Sequence, residues 1–168
     1  MSDLHLAAYH ADVEHVLEFL DAGYDPNEYD QSGYTPLLWA AFRGVMGNQL
    51  PVIQALISAG ADVNAITRAG DSSVLMLAVQ AGSDVLVRVL VERGADINRT
   101  ADEISPLMVA ARSGYAQIVR TLLELGADPT LRAGKYTAAD YAWYGGHDQL
   151  AELLKSCASA PPRNDQPS

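Results

Sequence analysis

The tripeptide Gly-Ala-Asp stands at Gly60, Gly94 and Gly126, with Gly23-Tyr24-Asp25 as an upstream variant. The three full copies are 34 and 32 residues apart, a period that marks a row of like units. Other landmarks return in step with it. A Ser or Thr opens a short apolar segment each time, as Thr35-Pro36-Leu37, Ser73-Val74-Leu75, Ser105-Pro106-Leu107 and Thr137-Ala138-Ala139. Such a hydroxyl can accept from first-turn amides that have no carbonyl partner, and proline at the first helical position gives up an N–H that had no use there. A second apolar segment follows at helical spacing, with Val52, Ile53, Leu56 and Ile57 in one unit, then Leu86, Val87, Leu90 and Val91 in the next. Glycine then ends that helix.

Helices this short are marginal alone, so each pair needs neighbours to cover its apolar stripes. The pattern predicts helix pairs near 4–10 and 13–21, 36–43 and 51–59, 74–81 and 84–92, 106–113 and 116–125, and 138–144 and 148–156. The units run about 1–29, 30–66, 67–99, 100–131 and 132–156, one repeat domain over 1–156, followed by a Pro-rich polar segment, 157–168, expected to be a mobile tail. The second unit carries four extra residues within 45–50, and the turn before the fourth is one residue short, so its tip should be tighter. Polar substitutions in the outer units, His15 in the first and Lys155 in the last, fit terminal caps.

These landmarks resemble the ankyrin repeat family, whose unit of about 33 residues is a turn plus two helices with a T-P-L-H-x-A signature. The resemblance covers about Asp3 to Lys155. It implies an all-α fold, an ankyrin-repeat solenoid of about five helix-turn-helix repeats with β-turn fingers. It also implies a non-catalytic module that binds a partner protein on a concave surface of turn tips and first-helix edges. One departure stands out: the histidine after Pro-Leu is replaced by Leu38, Met76 and Met108 in the interior units. Apolar packing is expected to take over its loop-steadying role.

Mapped by phase, the position before each first-helix cap holds Tyr34, Ser72, Ile104 and Tyr136, and the position before the last residue of that helix holds Tyr9, Phe42, Gln80, Arg112 and Tyr144. Folding does not require rings at either place, and Tyr and Arg dominate binding energy at interfaces. The candidate partner-binding set is therefore Tyr9, Tyr34, Phe42, Arg43, Ile104, Arg112, Tyr136, Trp143 and Tyr144. Trp143 replaces a usual alanine, so its ring displaces something or emerges on the concave side. Trp39 fills a normally apolar slot and is expected in the core.

The net charge of −10 opposes a nucleic-acid backbone or an anionic membrane. Eight acids precede the first basic residue, Arg43, which suits a partner with a basic surface. The narrower alternative is an inhibitor or immunity protein occluding a basic enzyme such as a nuclease toxin. The N-terminal stretch lacks the basic start and apolar run of a signal peptide, and Cys157 has no cysteine to pair with, so a cytoplasmic, monomeric protein is expected. The five-residue spacing of His5, His10 and His15 swings around a helix, and a break near Ala11 separates the two helices, so they do not make a metal set; no nucleophile, acid–base pair or phosphate loop is evident, so neither cofactor nor catalysis is read. Asn64 and Asn98 are assigned to turn hydrogen bonding.

Overall fold

The computed structural model describes residues 2–44 and 48–159. Over that range the chain forms ten helices in five pairs: α1 (Asp3–Tyr9) and α2 (Val13–Asp21), α3 (Pro36–Phe42) and α4 (Leu50–Ser58), α5 (Val74–Gln80) and α6 (Asp84–Glu92), α7 (Pro106–Arg112) and α8 (Ala116–Glu124), α9 (Ala138–Tyr144) and α10 (Asp148–Ser159). The odd-numbered helices pack each on the next, α1 to α9, while α2 packs on α4 and α6 on α8 in a second layer. Among the described residues there are no strands, only the isolated bridges Ile66 to Ser73, Ala101 to Ile104 and Ala133 to Tyr136. No described helix is long and apolar enough to cross a membrane.

The capping logic holds in the interior units. The hydroxyls of Thr35, Ser73 and Ser105 accept from the amides of Leu38, Met76 and Met108 at 3.3, 3.2 and 3.3 Å. Thr137 differs. Its amide and hydroxyl both donate to Asp140 Oδ2 at 2.8 Å, so at α9 the carboxylate rather than the hydroxyl is the acceptor. Small residues on the odd-numbered helices, Ala40, Ala41, Ala78, Ala110 and Ala111, are fully buried and let those helices approach closely. Behind them, Val52, Ile53, Leu56, Val87, Leu90, Val119 and Leu122 fill the space between the layers.

The fingers are joined by a repeated polar staple. Within each, an Asp carboxylate turns the chain by accepting from the amide two residues on, as in Asp62 to Asn64 at 2.8 Å and Asp96 to Asn98 at 3.0 Å. The Asn side chain then reaches the next unit. Asn27 donates to the Gly60 carbonyl and accepts from Asp62 N–H; Asn64 does the same with Gly94 and Asp96; Asn98 accepts from Asp128 N–H. The finger of the fourth unit is tight as expected, for only Asp102 and Glu103 lie between the bridged residues. Both take positive φ, +48° and +63°, the two left-handed positions that a two-residue hairpin turn requires.

Several boundaries differ from expectation. The first helices of units one to four end at Tyr9, Phe42, Gln80 and Arg112, one residue earlier than expected, whereas α9 ends at Tyr144 as expected; in all five the position picked out by phase is the last helical residue. Helix α4 starts one residue before Pro51, at Leu50. Helix α10 runs on to Ser159, and the first three residues of the expected tail, Cys157 among them, are helical. Residues 160–168 lie outside the described residues, as do 45–47 of the four-residue insertion. Its far end is described: buried Gln49 donates to the Tyr9 carbonyl at 3.3 Å, tying the second unit back to the end of α1.

Candidate binding face

The fingers and the C-terminal ends of the odd-numbered helices share one side of the molecule. At its N-terminal half, Trp39 is the centre of a ring cluster. Its indole stacks on Tyr34 with centroids 4.4 Å apart and planes 24° from parallel. Tyr9 and Phe42 meet it edge-on at 5.4 and 5.9 Å, and Phe42 also meets Tyr34 at 6.4 Å. The Arg43 guanidinium lies 4.5 Å over the Tyr9 ring. Trp39 is therefore half-buried within the candidate face and not, as the sequence suggests, a core residue. The same slot is exposed at Leu6, half-buried at Val109 and Tyr141 and buried at Leu77; the second unit keeps it half-open, where the indole N–H of Trp39 finds an acceptor.

Asp30 fixes the cluster. Its Oδ2 accepts from the Trp39 indole N–H at 3.0 Å, and Oδ1 accepts from the amides of Ser32 and Tyr34 at 2.9 and 3.1 Å. Burial by itself would raise this carboxyl, but the hydrogen bonds from Trp39, Tyr34 and Ser32 outweigh it and hold the group below its ordinary range. The Tyr34 phenol moves the other way, pushed up by burial and by the nearby Asp71 and Asp30 carboxylates. The pairing of Asp30 with Trp39, nine residues apart across a finger, is the sequence signal that points to this arrangement.

The C-terminal half carries a second cluster. Tyr136 and Tyr144 meet edge-on at 5.4 Å, Trp143 meets Tyr144 at 5.1 Å, and the Lys135 ammonium is 5.2 Å from the Tyr136 ring centre. A hydrogen bond with Tyr136, then burial, raises the Tyr144 phenol. Trp143 and Tyr144 are 60% and 59% exposed, and Phe42 is 47% exposed. Trp143 takes the helix register of Ala41, Val79 and Ala111, which are fully buried in interior units. No described helix covers that register in the last pair, and the indole emerges. Between the clusters the face is not aromatic: Gln80 and Arg112 are exposed, Ile104 packs against the core and Ser72 is nearly buried.

The histidines do not assemble. His5 is buried and takes the place of the signature histidine in the first unit: Ser2 Oγ lies 2.6 Å from Nδ1, and the Glu28 and Tyr34 carbonyls lie 2.9 and 3.1 Å from Nε2. In the interior units, Leu38, Met76 and Met108 fill that position and are buried, so apolar packing does replace the hydrogen bonds. His15 pairs with Asp12 on the exterior at 2.7 Å. Among the described residues no group of three or more His, Cys, Asp or Glu is placed to hold a metal ion.

Comparison with known proteins agrees with this architecture. The family described as ankyrin repeats (3 copies) matches residues 4–101 and 45–133. The B-cell lymphoma 3 protein homolog of Mus musculus is 40% identical over 97 residues, which are 57% of this chain and 20% of that protein, so the chain matches about a fifth of the relative's length. With stapled fingers, two helical layers and a matching family model over most of its length, the chain belongs to the ankyrin repeat family.

Proposed function

We propose that this chain is a non-catalytic module that binds a partner protein on the face formed by its fingers and odd-numbered helices. Ankyrin repeats generally mediate protein–protein interaction. The observation that carries the finer reading is the set of exposed rings, Phe42, Trp143 and Tyr144, held in place by neighbouring rings and not by the core. Tyr9, Tyr34, Trp39 and Arg43 form the platform at one end and Tyr136 the platform at the other, with Ile104 and Arg112 between. Exposed aromatic surface held in fixed geometry is the composition of an interface hot spot. The acids before Arg43 favour a partner with a basic surface, steered by long-range attraction. That net charge also favours the narrower reading, an inhibitor or immunity protein that covers a basic enzyme. Cys157, with no cysteine to pair with, supports a cytoplasmic setting.

The test compares capture by the wild type, by Phe42→Ala/Tyr144→Ala and by the outer-layer control Gln117→Ala. The partner retained by the wild type and the control should be lost from the double variant by about tenfold or more, with the melting curve nearly unchanged. Equal retention by all three, or a collapsed melt for the double variant, contradicts the proposal.

A further inference from the structure

Between the two aromatic clusters lies a cavity of about 370 Å³, bounded by the third and fourth fingers and by α5, α7 and α9. Its walls have a definite polarity. Met76, Met108, Ile104 and Val109 give an apolar lining, with both methionines buried beneath it. The exposed carboxylates of Asp71 and Asp102 stand on the finger side, and Arg112 and Gln80 stand at the helix ends. Tyr141, from the last helix pair, contributes to the far wall.

Resting on the proposed partner-binding role, we infer that this trough is the seat for a long basic side chain, arginine or lysine, projected by the partner protein. The lining decides the shape: thioether and branched aliphatic groups suit a chain of methylenes, and methionine adapts to what lies on it. The carboxylates decide the charge. A cation whose stem lies along Ile104 and Val109, over the buried Met76 and Met108, brings its head between Asp71 and Asp102, where two opposite charges receive it. Arg112, at the other end of the trough, makes no ion pair among the described residues. It repels a cation there and so orients the guest with its head toward the fingers.

The probe is n-butylguanidinium, a stem and cation without the rest of a partner. The chain has only four methionines, so methionine methyl NMR reads the trough directly at Met76 and Met108. Butylguanidinium should shift both methyls saturably. Asp71→Asn/Asp102→Asn should weaken that binding about threefold to tenfold, and Arg112→Gln should strengthen it. Sodium pentanoate, with a similar stem and the opposite charge, should leave both methyls unmoved. The inference is overturned if butylguanidinium does not shift them, if pentanoate binds as well or better, or if the double Asn variant binds the cation unchanged. Phe42→Ala/Tyr144→Ala should keep the probe signal while losing the captured partner. Failure of the trough is thereby separable from failure of the ring face.

Discussion

Trp39 joins folding and the candidate face at a single residue. One edge of its indole satisfies Asp30, while its flat side stacks on Tyr34. Trp39→Ala should therefore cost stability, about 2–3 kcal/mol from lost contacts and the partner lost by Asp30 Oδ2, whereas Phe42→Ala should cost less than about 1 kcal/mol because about half of its ring is exposed. Thermal melts of the two variants check the difference. The Asp30 carboxyl sits below its ordinary value of 3.8; a lowered group stabilises the fold above its unfolded pKa and loses that contribution as pH falls through its folded one. The melting-temperature gap between wild type and Asp30→Asn should thus hold steady from about pH 7 to about pH 5 and close below about pH 4. A gap that widened on acidification would refute the assignment. Much of this residue-level detail was hidden in the sequence. Tyr34, Phe42 and Tyr144 could be placed by phase alone, but burial of Trp39 depends on which neighbour faces it, and periodicity carries no such information.

Elements were more legible, because each helix carries its own start and stop. Thr35-Pro36, Ser73 and Ser105-Pro106 mark starts that the structure keeps, and the Gly-Ala-Asp copies mark ends. The two departures from these signals are local as well. The cap of α9 is made by Asp140, three residues into the turn, and α10 continues past its last apolar slot because no breaker stops it until the prolines beyond Ser159. The cross-unit staples belong to this scale as well. Asn64 bonds two backbone groups of the following finger, so Asn64→Ala should cost about 1–3 kcal/mol in urea unfolding. A comparable link joins α6 to α8, where fully buried Thr121 donates to Asp84 Oδ1 at 2.5 Å and accepts from Arg88 at 2.6 Å. Thr121→Val keeps the shape and removes both bonds. It should destabilise by about 1–3 kcal/mol, and a neutral result would mean that Asp84 and Arg88 satisfy each other without it.

At the scale of the molecule, the principal helix contacts among the described residues join each pair to the pairs before and after it, so stability approximates a sum of unit and nearest-neighbour terms. The end pairs have one neighbour each. Amide exchange should be slowest in α3 to α8 and fastest in α1, α2 and the C-terminal part of α10, and uniform protection across all ten helices would contradict a linear stack. The same linearity leaves one long side uncovered by any described helix, with rings at both ends and an acid-mouthed trough between them. The period of the sequence made that side foreseeable; its polarity emerged only when distant fingers were brought together. Site-specific photocrosslinking tests its use most directly, with a benzophenone amino acid placed in turn at Phe42, Tyr144, Gln117 and Gln149. A captured partner should crosslink from 42 and 144 and from neither outer-layer position. Crosslinks from 117 or 149, with none from 42 or 144, would contradict the account.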